Sequence, residues 1–277
     1  MIKILCDSIS DLPLEIIEKH NVDVVPLTVL FNGVEYLDRV DITNDEFYGM
    51  LRNTDTMPKT SQATYSQFKK YFDKYNNEDV QILYIAGSSS ASGTMQSATI
   101  AKSDGYENVT IFDTQSLSIG SALFIIKACE MVEKGLSINE IVEQLEAIKG
   151  TEEVLFSVDT LEYLKMGGRI SSTKAAIGSL LSIKPILTVE NGLVSQKSQV
   201  RGKKQIFNAL INGLSEKYSG NLEGKTLVIG YGDNKEDLET VKKLASEKLN
   251  VKDVYCVNIG CVVCSHSGPG IIGVSCI

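Results

Sequence analysis

Short apolar runs alternate with amphipathic stretches along most of the chain. Residues 2–5 (IKIL) are a compact apolar run that predicts a strand, and Asp11 with Pro13 opens a helix through Ile16 and Ile17. Residues 22–30 (VDVVPLTVL) have strand character, but Pro26 cannot donate to a ladder and predicts an edge or a bulge. Asn32-Gly33 reads as a hairpin turn, residues 44–52 as a helix, and residues 54–66 as a polar loop rich in hydroxyls. The cycle repeats with a helix over 65–75, a strand over 80–86 (VQILYIA), a helix over 95–102 and a strand over 109–112. Helices over 122–134 and 137–149 follow, the second capped by Ser137 or Asn139. Such alternation predicts an α/β fold with a mostly parallel sheet covered on both faces.

A second unit begins near residue 150. Strands are expected over 154–158, 185–189, 193–197, 226–231 and 254–259, with Asn191-Gly192 as a turn. Helices are expected before the Gly167-Gly168 stop, over the apolar 174–181, and over 203–214 and 235–249. The expected organisation is two α/β domains with mainly parallel sheets, one over 1–150 and one over 151–277.

Charge narrows the partners. The chain has 27 basic and 35 acidic residues, a net charge of −8, so there is no basic surplus to displace counterions from a nucleic acid. No apolar run approaches the roughly 18 residues of a membrane span, and the first residues lack the apolar core of a signal peptide. Six cysteines in a chain of this kind read as reduced thiols, and a cytoplasmic location is expected.

Three hydroxyl-rich loops stand at strand ends or helix starts: DSISD (7–11), GSSSASGT (87–94) and DTQSLSIG (113–120). In an open parallel sheet the carboxyl ends of the strands are where ligands bind, and a loop running into a helix presents free N–H groups to an anion. The same serines also serve as ordinary helix caps. Neither a dinucleotide fingerprint nor a phosphate-binding GxxxxGK[ST] loop is present, and Gly-x-Ser-x-Gly is absent. Of two histidines, His20 reads as an exposed helix end, whereas His266 falls in a Gly/Pro-rich loop, CSHSGPG. A serine hydrolase or thioesterase would need His266 beside Ser92, oriented by Asp7, Asp11 or Asp113. Cys256, Cys261, Cys264 and His266 have zinc-ligand chemistry, but the second knuckle is missing, and buried thiols are the simpler reading. The basic run KSQVRGKK (197–204) is either a solvated turn or a docking patch on an acidic protein.

DSISDLP, KTSQAT, SSSASGTMQSA, DTQSLSIG, VDTLEYLKMGGRIS, LLSIKPILTVENG, VRGKK and SHSGPGIIGV together resemble the DegV family in order and spacing, from residue 7 to residue 274. The resemblance implies a fatty-acid-binding protein of two α/β domains, with the acyl chain in a tunnel at or near their interface. It further implies a carrier, not an enzyme, that presents the bound carboxylate to a fatty acid kinase for conversion to an acyl phosphate. The family's TSQ motif falls on Thr60 and Ser61, its SGT motif on Ser92 and Gly93, and its HxGPG histidine on His266; these are the expected carboxylate ligands. Arg169 of GGR and Arg201 of the basic run are additional candidates. No metal or cofactor is implied, the fatty acid being the ligand, and transient membrane contact is left open. Ala63 stands where the family usually has proline, Ala91 where it commonly has a bulkier residue, and Cys261 and Cys264 where Pro and Gly are more frequent.

Overall fold

A computed structural model describes every residue of the chain except 55, 77–78 and 171–182. The helix expected over 174–181 lies outside the described residues. The first half runs β1 (Ile2–Asp7), α1 (Leu14–His20), β2 (Asp23–Val25), β3 (Thr28–Phe31), β4 (Val34–Leu37), α2 (Asn44–Arg52), β5 (Lys59–Ser61) and α3 (Tyr65–Lys74). It continues through β6 (Gln81–Ala86), α4 (Thr94–Lys102), β7 (Val109–Asp113), α5 (Ile119–Glu133) and α6 (Ile138–Ile148). The second half holds β8 (Glu153–Ser157), α7 (Glu162–Gly167), β9 (Ile183–Glu190), β10 (Leu193–Arg201) and α8 (Lys203–Lys217). It ends with β11 (Thr226–Tyr231), α9 (Lys235–Lys248), β12 (Asp253–Asn258), α10 (Cys261–Ser267) and β13 (Ile272–Cys276).

The α/β class holds, with two principal sheets. The first, ordered β2-β1-β6-β7, is parallel throughout. The second, ordered β10-β9-β8-β13-β11-β12, pairs in parallel only between β11 and β12, which corrects the expectation of mainly parallel strands there. The reason is connection length. β9 and β10 are joined by the Asn191-Gly192 turn (φ 52° and 79°), which can only make an antiparallel hairpin, and β13 returns beside β11 after the short α10. Pro26 divides the apolar 22–30 run: β2 joins the parallel sheet, while β3 turns away into a small sheet with β4 and β5.

One helix links the two principal sheets. Every residue from Ile119 to Ile126 of α5 is buried, the pattern of a helix without a solvent face. It packs on β1 and β6 on one side and on β8, β11 and β13 on the other. Strand alternation sorts the second sheet's side chains accordingly. Val154, Phe156 and Val228 join the core around α5, whereas Leu155, Leu227 and Ile229 join a separate core under α8 and α9.

Candidate functional site

A cavity of about 380 Å³ lies where these elements meet. Its wall is largely apolar, with Leu27, Phe156, Leu164, Val189, Val262 and Ile271 among its members. The polar lining is Thr60, Ser61, Gln62, Ser92, Gly93, Ser118, Arg169, His266 and Ser267. Thus six of the sequence-derived candidates, Thr60, Ser61, Ser92, Gly93, Arg169 and His266, line a single cavity. Arg201 does not line it; it lies exposed at the end of β10.

Local structure delivers each of these groups. Thr60 and Ser61 belong to β5, not to the loop expected there; Thr60 is opposite Val29 of β3. A three-residue strand carries no apolar period, so only its partner strand reveals it. Ser92 and Gly93 end the turn after β6. The Ser92 hydroxyl accepts the Thr94 N–H at 3.2 Å and is 2.9 Å from Thr94 Oγ1, which in turn accepts the Ala63 N–H at 3.3 Å. A Cβ on Gly93 would stand 2.0 Å from Gln62 Oε1, so the absence of a side chain lets the TSQ and SGT segments touch.

His266 sits in the last turn of α10, not in a loop, and the Gly-Pro-Gly segment begins only at Gly268 (φ 76°), which ends the helix. The start of α10 is held from below. Asp11 accepts the Gly260 N–H at 2.7 Å, the Ser118 hydroxyl at 2.6 Å and Arg39 Nη2 at 3.2 Å, and Asp38 accepts the Cys261 N–H at 3.1 Å. Both carboxylates are buried, and burial pushes Asp11 up to about 6 despite Arg39. Arg39 and Asp38 are functional supports that sequence reasoning missed. Asp11, one of the three carboxylates that a hydrolase reading offers for orienting the histidine ring, holds the start of the histidine's helix instead.

Within the cavity His266 Nε2 is 2.8 Å from Thr60 Oγ1. Its Nδ1 is buried without a hydrogen-bond partner, and a Cβ on Gly167 would come within 2.2 Å of it. Burial first, and then the Arg169 charge, lower the imidazole to about 4, so the ring is neutral at physiological pH. Arg169 donates Nε to the Ala91 carbonyl at 3.1 Å and Nη1 to the Gly167 carbonyl at 2.5 Å, tying the SGT loop to the end of α7. It is the one ionised side chain lining the cavity among the described residues.

Among the described residues no hydrogen bond joins Ser92 to His266, and Asp7 is engaged with Tyr84, Ile9 and Gly87, and Asp113 with Ser89. Cys261 and Cys264 are buried in α10, the latter 3.4 Å from the Tyr48 hydroxyl, while Cys256 lies apart in β12. Among the described residues no group of three His, Cys, Asp or Glu side chains could hold a metal ion. His20 is less exposed than expected, with its side chain only 9% accessible and Nδ1 3.5 Å from Glu133.

The profile of the DegV family, described as uncharacterised proteins, matches residues 1–277. The chain belongs to the DegV family. It is 38% identical over 279 residues to a DegV domain-containing protein of Clostridium perfringens, covering 98% of this chain and 95% of that one. Among solved structures, a fatty-acid-binding DegV family protein from Thermus thermophilus superposes with a TM-score of 0.92 at 32% identity, covering 99% and 98% of the two chains. A stearic-acid-binding protein from Eubacterium ventriosum gives 0.90 at 31% identity, covering 100% and 98%. In this DegV chain no described helix is long and apolar enough to cross a membrane.

What a DegV cavity of this composition can do follows from its donors. Hydroxyls, N–H groups and one guanidinium surround the polar part of the wall, and an acceptor-only group such as a carboxylate satisfies several of them at once. The remaining wall offers only dispersion and exclusion of water, which suits an aliphatic chain.

Proposed function

We propose that this protein binds a long-chain fatty acid between its 1–150 and 151–277 domains. Thr60, Ser61, Ser92, Gly93 and His266 form the carboxylate site, His266 through the Thr60 hydroxyl that its ring orients, and Arg169 supplies the compensating charge. The observation that carries this reading is the continuity of the polar cluster with an otherwise apolar cavity of about 380 Å³. The fatty-acid-binding DegV protein from Thermus thermophilus and the stearic-acid-binding protein from Eubacterium ventriosum support it. Burial of an alkyl chain contributes about 0.8 kcal/mol per methylene, so a long chain gives on the order of 10 kcal/mol before association costs. That is enough for tight binding without a strong ion pair.

The protein acts as a carrier that presents the carboxylate to a fatty acid kinase. In that step a carboxylate oxygen forms a bond to the terminal phosphorus of ATP, the bond to the leaving phosphate breaks, and ADP departs. Ser61 and Gln62 are exposed beside the buried part of the site, so the head group is the part a partner can reach. In the basic run Lys203 is paired with Asp237 at 2.8 Å and Lys197 with Glu153, so that among the described residues Arg201 and Lys204 are the cations of the run offered for docking. Calorimetric titration of delipidated protein with palmitate tests the binding. Saturable, stoichiometric uptake that weakens in Ser92→Ala is expected; absence of uptake refutes the proposal.

A further inference from the structure

Two strand glycines stand directly opposite each other in the cavity wall. Gly230 of β11 and Gly273 of β13 are register partners, and both line the cavity. A glycine inside a strand is destabilising relative to alanine, and it typically marks a place where something must approach the backbone closely. Their neighbours Ile229, Ile272 and Val274 point to the core under α8 and α9, so the glycine positions face α5.

What approaches is the start of α5. A Cβ on Gly230 would stand 2.7 Å from Ile119 Cγ2 and 2.7 Å from Ile259 Cδ1. A Cβ on Gly273 would stand 2.7 Å from the Phe156 Cβ and 3.4 Å from Ile119 Cδ1. Two residues beyond Gly273, the Ser275 hydroxyl donates to the Ile119 carbonyl at 2.8 Å and fixes the helix start against the sheet. Ile119, Ile259 and Phe156 all line the cavity themselves. A methyl group added at either glycine therefore cannot be absorbed behind the wall, because the side chains it displaces are the wall.

We infer that the Gly230–Gly273 pair, by seating Ile119 against bare backbone, sets the cavity's width and so determines which acyl chains the protein accepts. This rests on the fatty-acid reading above. Narrowing the wall at Ile119 penalises an acyl chain that extends past this residue more than one that ends before it, and one methylene of misfit in an apolar site is worth about tenfold or more in discrimination.

The test offers delipidated protein an equimolar mixture of laurate, myristate, palmitate and stearate and quantifies what is retained. In Gly230→Ala the retained stearate-to-laurate ratio should fall roughly tenfold against wild type. Removing the Ile119 Cγ2 that the new methyl meets, in Gly230→Ala with Ile119→Ala, should restore it. Ile119→Val alone, a mild change, should raise the ratio and keeps the inference testable should the alanine variant fold poorly. An unchanged ratio in these variants, or a uniform loss of all four acids from a folded variant, would overturn the inference. Wild-type protein that retains none of the four would instead overturn the fatty-acid reading itself.

Discussion

His266 Nε2 lies 2.8 Å from Thr60 Oγ1, while the opposite ring nitrogen is buried without a partner. An orphaned buried N–H is rarer and costlier than an orphaned lone pair, so the proton belongs on Nε2 and is donated to the threonine oxygen. That leaves the Thr60 hydroxyl hydrogen free to point at a ligand carboxylate. Thr60→Val should weaken fatty-acid binding about tenfold, equivalent to one lost hydrogen bond to a charged acceptor, and Thr60→Ser should recover most of it. Displacement of a fluorescent fatty acid measures both.

Acid should act on His266 in a defined window. Its folded value of about 4 is below the ordinary 6.5, so the unfolded chain binds the proton first. Stability is therefore complete above pH 6.5 and is lost as pH falls toward 4, by an amount on the order of 3 kcal/mol. Asp11 works the other way: raised to about 6 from 3.8, it favours the fold at low pH and loses that contribution as pH rises through 6. Denaturant titrations across this range should show a smaller acid-side loss in His266→Gln than in wild type. Imidazole nitrogen shifts of His266 should stay those of a neutral ring down to pH 5.

Ser92→Ala separates a carrier from a hydrolase. The expected outcome is reduced fatty-acid retention, with no acyl-ester or acyl-CoA turnover in either wild type or variant. Turnover in wild type that vanishes in the variant would favour the hydrolase, even though no nucleophile elbow is present in the sequence.

Much of the architecture was legible from periodicity, because β1, β6, β8 and β11 are short runs buried on both faces and the first two turns of α5 are buried all round. What escaped was set by tertiary partners. β5 has no apolar alternation and exists through its pairing with β3. The helical state of residues 261–267 was hidden by the glycines and proline that follow, although its start is fixed by Asp11 and Asp38 from the far end of the chain. The hydroxyl candidates were readable as donors at strand ends. Their convergence with Arg169 and His266 was suggested by the family's motifs and not by spacing, since His266 stands 206 positions after Thr60 in the chain.

Arg201 should matter for a partner and not for the ligand. It is exposed and outside the cavity, and a surface cation mainly steers encounter. Arg201→Ala is expected to keep its fatty acid while acyl-phosphate formation with a cognate kinase slows, the defect shrinking as carrier concentration rises. Lipid loss from this variant would contradict the assignment.

The most direct measurement is denaturing mass spectrometry of an organic extract from the purified protein. The account predicts long-chain fatty acid at close to one molecule per chain, and markedly less from Thr60→Val and Ser92→Ala. An extract free of fatty acid, with no uptake when fatty acid is then supplied, would contradict it.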